Sequence, residues 1–380
     1  MKVAQVIPCL GQNSGGPSRS VYELTKGLRS TGMETDILTN NYLENPNIAA
    51  DSWIHSVDIP KMLPFEFNTK FKKVLCDNDY DLFHIHSIYS YPVSLAAKYA
   101  RRKGIPYIIA PRGSLYEAAL DSSSSFKKKV FNHLFLFSDL NHASVIHATC
   151  EEEMLQIRRL GIKAPIAIIP NSISLPSEKP QLSAPNMFRL CYLGRINPIK
   201  NIDGILKAWH SAGMSNRKDA ELVIIGDSKL EKEKVYLESL HQLEQTLRIE
   251  NISWKGALSG DSKDKMLNSC SFLILPSYSE NFGMVVVEAL VQGVPVVASK
   301  GTPWKSLEAE DCGWWINNSV EEMSNLIRQL SEVSNERRKE MGLRGQQFVE
   351  DNFSTDSVCK SLRCLYEWVL GKGAKPEFVY

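Results

Sequence analysis

Phe272-Leu-Ile-Leu275, then Pro276-Ser-Tyr-Ser-Glu280-Asn-Phe-Gly283, then Met284-Val-Val-Val-Glu288-Ala-Leu-Val291, and shortly after them Pro295-Val-Val-Ala298: this stretch decides the fold. Four apolar residues read as a buried strand, and the polar loop beginning at Pro276 ends it. From near Phe282 or Gly283 the pattern becomes helical and apolar on nearly every side, which implies a buried helix. A second apolar strand follows, and strand–helix–strand is the unit of a parallel sheet. The alternation continues outward. Strands are expected near 3–7, 34–38, 82–86, 107–110, 145–148 and 166–169, then near 190–193, 221–225 and 252–254. Helices fit 17–30, 93–103, 202–212, 232–247, 263–268, 285–291 and the chain from Val320 onward. The Pro- and Ser-rich stretch 171–188 reads as a linker. The expected architecture is α/β, with two Rossmann-like domains facing each other across a cleft at the carboxyl ends of their sheets.

A chain of 380 residues exceeds what one core usually serves, which agrees with two domains. A formal net charge of +1 argues against a dedicated nucleic-acid binder, which carries a basic excess. The eight cysteines are scattered, with no C-x-x-C pair and no histidine at zinc spacing, so they read as reduced, mostly buried thiols. The N-terminal run is short and broken by Gln5 and Pro8, so it reads as a strand rather than a signal segment. No stretch approaches the roughly 18 apolar residues of a membrane span. A cytoplasmic protein is expected.

Glu288 lies in the apolar helix, where a carboxylate is costly unless paired. An ion pair with a Lys or Arg and a hydroxyl-rich ligand are both open readings. Glu280 and Glu288 are eight positions apart, about 12 Å along a helix, which is too far for a close catalytic dyad. They suit opposite ends of one elongated ligand. Between them Asn281, Phe282, Gly283 and Met284 bring amides to a helix start, a seat for a diphosphate or a sugar oxygen, and Gly283 permits close approach. In Tyr192-Leu-Gly194-Arg195-Ile-Asn-Pro-Ile-Lys200, Arg195 and Lys200 follow a strand at the sheet's carboxyl edge, where two cations suit a pyrophosphate leaving group. Solvated surface charges are the alternative. Sugar, diphosphate and ribose in a row describe a nucleotide sugar.

In the first half, Gly11-Gln-Asn-Ser-Gly15-Gly16-Pro17 lacks both the dinucleotide fingerprint and the P-loop ending, so neither a nicotinamide site nor an ATPase follows. His84 and His86 share one face of a strand. A core place is expected for His84 and a cleft role for His86, at the strand's carboxyl tip. Arg112 holds the matching tip of the next strand and suits an anionic acceptor. Residues 126–137, Phe-Lys-Lys-Lys-Val-Phe-Asn-His-Leu-Phe-Leu-Phe, read either as a core helix with a charged start or as a patch for an anionic membrane face carrying a lipid-linked acceptor.

Taken in this order and spacing, these motifs resemble the retaining glycosyltransferases of the GT-B fold, the "glycosyl transferases group 1", across nearly the whole chain. The resemblance implies an acceptor-binding domain over 1–175, a donor-binding domain over 186–354, and a segment 355–380 whose helix crosses back to the first domain. It implies transfer with retention from a nucleotide sugar to a saccharide or lipid-linked saccharide. Glu280 would contact the sugar hydroxyls, Glu288 the ribose, Arg195 and Lys200 the diphosphate, and Asn281 to Met284 would offer amides. His86 would lie beside the transferred sugar, Gly16 near the donor phosphates, and Arg112 on the acceptor side. Glu280, His86, Arg195 and Lys200 are the expected catalytic set. No cofactor or metal is implied, and no nucleic acid. The implied setting is bacterial surface polysaccharide assembly (O-antigen, capsule, exopolysaccharide or lipopolysaccharide), with peripheral contact at the inner membrane's cytoplasmic face. Pro170-Asn171-Ser172-Ile173-Ser174 departs from the family's Pro-Asn-Gly-Ile/Val-Asp. The loop Gly301-Thr-Pro-Trp304 is also distinctive, and both are expected to stand clear of the diphosphate site. A nucleotide-sugar epimerase and a non-catalytic nucleotide-sugar-binding protein remain the competing readings.

Overall fold

The computed structural model describes residues 1–10, 16–41, 51–58, 70–116, 136–182 and 186–380. They form two units, Met1–Ser174 with Ser354–Tyr380, and Leu175–Phe353. The first unit holds strands β1 (Lys2–Cys9), β2 (Glu34–Asn41), β3 (Ile54–Asp58), β4 (Leu82–His86), β5 (Tyr107–Ala110), β6 (Val145–Ala148) and β7 (Ile166–Ile168) in the spatial order β3-β2-β1-β4-β5-β6-β7. All neighbouring pairs are parallel. Every residue of β4, β5 and β6 is buried, as expected of a parallel sheet covered on both faces. β3 was not foreseen. Its Ile-His-Ser-Val-Asp sequence has no apolar run, because an edge strand needs only one neighbour and one covered face.

The second unit holds β8 (Phe188–Leu193), β9 (Ala220–Ile225), β10 (Ile252–Trp254), β11 (Phe272–Leu275), β12 (Val296–Ser299) and β13 (Gly313–Ile316) in the order β10-β9-β8-β11-β12-β13, again all parallel. β13 was also missed, since its two tryptophans are only half-buried at the edge. Both units are therefore Rossmann-like. In each, strand order reverses once, between β1 and β4 and between β8 and β11. Open parallel sheets bind ligands at the carboxyl ends flanking such a reversal. His86 ends β4, while Arg195 and Glu280 follow β8 and β11.

The terminal helix Thr355–Val369 belongs to the first unit. Its Val358, Cys359, Leu362, Leu365 and Tyr366 join Val3, Leu24, Leu28, Ile108 and Val145 in one apolar cluster. The last residues continue along the exposed edge of β7. Ile166 N–H donates to Tyr380 O at 2.9 Å, Tyr380 N–H to Ile166 O at 2.8 Å, and Ile168 N–H to Phe378 O at 3.0 Å. This pairing closes an edge otherwise open to other chains. Among the described residues no helix is long and apolar enough to cross a membrane.

The first helix, Gly16–Ser30, approaches the terminal helix at Gly27, where an added Cβ would collide with Thr355 Cγ2 and come within 3.0 Å of Cys359 Sγ. Gly27→Val overpacks this contact, at a cost of about 1–3 kcal/mol. The first unit's Tm is expected to fall by roughly 2–10 °C in a thermal melt. An unchanged Tm would mean the helices tolerate a wider spacing.

Candidate active site

In the second unit the site is built where β8 and β9 end. Gly194 has φ +155°, and a Cβ on Gly226 would collide with Gly194 O, so the two strand tips meet backbone to backbone. Beyond them the Tyr192 hydroxyl donates to Arg195 O at 2.8 Å. The Arg195 side chain is 65% exposed and lies 3.7 Å from Glu233. Glu233 is buried at the first turn of the helix Glu231–Leu247. It accepts from Asn197 Nδ2 at 3.2 Å, Lys229 N at 3.0 Å and Leu230 N at 3.1 Å. Burial alone would push this carboxyl up, but the Leu230 amide, the Asn197 side chain and the Lys229 amide outweigh it, and it titrates below its ordinary value. Asn197 Oδ1 in turn caps the turn Pro198–Lys200 by accepting from Ile199 N at 3.2 Å. Glu233 thus braces the loop carrying both cations. Sequence reading missed it, although its place three residues after the helix cap was a usable signal.

Lys200 does not stand free. Its ammonium pairs with Glu280 Oε1, and the side chains are 12% and 16% exposed. The Ser277 hydroxyl adds a bond to the same oxygen at 3.2 Å. Glu280 precedes Gly283, whose φ of +79° caps the helix Met284–Val291; at this left-handed position a side chain would be strained. Glu280 and Glu288 are therefore not on one helix, and half of the segment between them is loop. Phe282 is buried against Trp304, with ring centroids 5.2 Å apart, so its side chain anchors the loop and leaves only backbone for a ligand. Glu288 pairs with Lys263 at 2.8 Å. The ion-pair reading of this carboxylate is realised in the structure, by a lysine not singled out in the sequence.

The loop after β12 was expected to stand clear, and the structure corrects this. Gly301 O accepts from Glu280 N at 3.0 Å, Ser299 Oγ donates to Ser277 O at 2.5 Å, and Trp304 Nε1 donates to Phe282 O. A Cβ at Gly301 would collide with Ser277 O and Tyr278 O. This loop is the rear wall of the Glu280 segment.

In the first unit Gly16 opens the first helix, and the rest of its Gly-rich loop, 11–15, lies outside the described residues. So do residues 126–135 of the basic-aromatic stretch. His84 and His86 do share a face, with ring centroids 4.2 Å apart. Both are fully buried, so His86 presents no open surface: Nε2 meets Gln5 Oε1 at 2.7 Å and Nδ1 meets Arg112 Nη2 at 3.1 Å. Burial, then His84 and Arg112, hold His86 well below the ordinary histidine range, so it is neutral. Arg112 adopts φ +57°, an unusual backbone for a side-chain-bearing residue, and its Nη1 donates to Asn171 Oδ1. Pro170-Asn171 thus belongs to the Arg112 shell, an association 59 positions of separation concealed. The adjoining Gly113 N–H donates to Glu153 at 2.6 Å, which also accepts from Thr149 N at 2.7 Å. Among the described residues, no group of three or more His, Cys, Asp or Glu is placed to hold a metal ion.

Two family models match consecutive parts of the chain: "Glycosyl transferase 4-like domain" over residues 15–172 and "Glycosyl transferases group 1" over residues 177–348. The chain belongs to the group 1 glycosyltransferases. The transferase is 25% identical over 301 residues to an uncharacterized glycosyltransferase of Methanocaldococcus jannaschii, covering 78% of each chain. It is 23% identical to a phosphatidyl-myo-inositol mannosyltransferase of Mycobacterium leprae over 79% of this chain and 78% of that protein. Its fold matches Anabaena HepE, solved in complex with UDP-glucose, with a TM-score of 0.72, 17% identity, and 96% and 98% of the two chains covered. The fold is GT-B, and the enzyme is a nucleotide-sugar-dependent glycosyltransferase, which decides against the epimerase and the non-catalytic binder.

Trp304→Phe keeps the ring contact with Phe282 but leaves the Phe282 carbonyl without its donor, a local cost of about 1–3 kcal/mol. Amides 280–284 are expected to exchange hydrogen roughly tenfold faster or more with little change in global Tm. Unchanged exchange would show that Trp304 does not hold the loop.

Proposed function

We propose that the transferase moves a sugar, with retention of anomeric configuration, from a nucleoside-diphosphate sugar to a saccharide or lipid-linked saccharide in bacterial surface polysaccharide assembly. The observation that carries the donor reading is the Lys200–Glu280 pair at the strand reversal of the second unit, beside the Gly283-capped helix start. A carboxylate suits sugar hydroxyls, an ammonium suits a diphosphate, and without a donor the two neutralise each other. A bound donor divides the pair. Glu280 turns to the sugar, while Lys200 and Arg195 take the diphosphate oxygens, with the amides of Asn281 to Met284 completing the second unit's phosphate contacts. Glu288 exchanges Lys263 for the ribose hydroxyls.

As the bond from the anomeric carbon to the diphosphate breaks, negative charge grows on the departing oxygen. Lys200 and Arg195 stabilise it more in the transition state than in the ground state. The acceptor hydroxyl attacks from the same face, and its proton passes to the departing diphosphate oxygen. Arg112 serves an anionic acceptor, and His86, buried with both nitrogens bonded, acts by holding that guanidinium; being neutral, it adds no second positive charge beside it. This chemistry needs no metal. Similarity to a phosphatidyl-myo-inositol mannosyltransferase supports a lipid-linked acceptor; contact with the cytoplasmic face of the inner membrane through 126–137 is part of the same proposal.

Nucleoside-diphosphate release, measured across UDP-, GDP-, ADP- and dTDP-sugars, tests the donor reading, with a single base expected to dominate. Lys200→Ala and Glu280→Ala are expected to lose about 100-fold or more in kcat with normal folding. Glu288→Ala is expected to raise the donor KM roughly tenfold. EDTA leaves the rate unchanged, and NMR of the product shows the donor's own anomeric configuration. A fully active Lys200→Ala removes the diphosphate argument. Activity indifferent to anionic vesicles removes the membrane contact.

A further inference from the structure

Five polar side chains lie together beneath the carboxyl edge of the first sheet: Gln5 on β1, His84 and His86 on β4, His147 on β6 and Tyr366 on the terminal helix. Each is 1% exposed or less. Their contacts form one unbranched path. His147 Nε2 meets Ile169 O at 2.8 Å, and His147 Nδ1 meets His84 Nε2 at 3.1 Å. His84 Nδ1 meets the Tyr366 hydroxyl at 2.7 Å, and that hydroxyl accepts from Gln5 Nε2 at 3.1 Å. Gln5 Oε1 then meets His86 Nε2, and His86 Nδ1 meets Arg112 Nη2.

The direction of every bond follows from one end. A backbone carbonyl only accepts, so His147 carries its proton on Nε2. A neutral imidazole has one donor and one acceptor, so His147 Nδ1 accepts from His84 Nε2–H. His84 Nδ1 then accepts from the Tyr366 O–H, and the Tyr366 oxygen accepts from the Gln5 amide. Gln5 Oε1 accepts from His86 Nε2–H, leaving a lone pair on His86 Nδ1 for Arg112. Six hydrogen bonds run one way, from the Arg112 guanidinium to the Ile169 carbonyl, and bonds in such a series polarise one another. All three imidazoles must be neutral for this. Burial supplies the reason, pushing His147 down to about 3 and holding His84 and His86 well below the ordinary range.

Arg112 gains an unusual status at the far end. Its hydrogen-bond partners, His86 Nδ1 and Asn171 Oδ1, are both neutral, and among the described residues no carboxylate pairs with it. Its Nε is buried without a hydrogen bond, and its backbone is in the left-handed region. A guanidinium held by neutral acceptors keeps its charge for an incoming anionic oxygen, whereas one locked to a carboxylate does not.

We propose that Tyr366 and Gln5 are positioning residues for Arg112, fixing His86 in the Nε2–H tautomer so that Nδ1 aims the guanidinium at an anionic oxygen of the substrate. The inference rests on the reading that Arg112 serves an anionic acceptor. Without the Tyr366 hydroxyl, the Gln5 amide is free to turn its NH2 toward His86. That forces the proton onto Nδ1, where it opposes an Arg112 N–H.

The test pairs a tautomer measurement with kinetics on the full chain. Long-range 1H–15N spectra of wild type are expected to show His86 protonated at Nε2 alone. In Tyr366→Phe the proton moves to Nδ1; in Gln5→Met, made should the first variant fold poorly, the proton stays on Nε2 opposite the Arg112 donor but loses its acceptor and the low-field position of a hydrogen-bonded Nε2–H. With the best donor of the panel, kcat/KM for nucleoside-diphosphate release falls roughly tenfold in both. An Nδ1–H or doubly protonated His86 in wild type overturns the proposal, as does unchanged kcat/KM in both variants while Arg112→Ala is impaired. A fully active Arg112→Ala instead overturns the acceptor reading of Arg112, leaving donor use by the second unit intact.

Discussion

Parallel strands covered on both faces leave their backbone no partner except the neighbouring strand, and this constraint governs both units. Within the sheets the ladders satisfy every N–H and C=O they can, and apolar side chains fill both sides. Polar chemistry gathers where the ladders stop, at the carboxyl ends and the loops leaving them. Where strand order reverses, adjacent loops depart to opposite faces and open a crevice. Lys200 and Glu280 meet beside one such reversal; His86 and Arg112 stand near the other.

The two locations solve the problem of a charge in a partly dry place differently. In the second unit each of the site's cations has a carboxylate: Lys200 has Glu280, Lys263 has Glu288, and Arg195 lies near Glu233. Such pairs tolerate partial burial because each charge offsets part of the other's desolvation. In the first unit Arg112 bonds to neutral acceptors, and the neutral state of three histidines makes that arrangement consistent. Glu153 is close enough to favour the charged guanidinium, yet burial dominates and lowers Arg112 to about 10. Both devices depend on supports outside the site: Glu233 and the Gly301–Trp304 loop in one unit, Tyr366 from the distant end of the chain in the other.

Much of the fold was legible because apolar runs and turn residues repeat at the strand–helix period. β10 and β11 lie where the pattern put them, and the helix expected over 285–291 begins one residue earlier, at Met284. β3 and β13 escaped notice because edge strands need no apolar run. In the site, Arg195, Lys200, Glu280 and Glu288 were visible as polar residues at strand ends or inside an apolar helix. Their partners were not. Lys263 looked like any helix lysine, and Trp304 lay in a loop that seemed separate, since hydrogen bonds across 20 or more positions leave no local trace.

The sequence by itself determined that the chain folds as two α/β units and which segments carry the chemistry, because hydrophobic period and turn composition are local properties. Only the tertiary structure decided what those residues do to one another. His86 read as an open histidine at a strand tip, but the fold buries it, keeps it neutral, and commits its nitrogens to Gln5, 81 residues earlier, and to Arg112. Protonation state and hydrogen-bond direction depend on neighbours in space, and no stretch of sequence contains them.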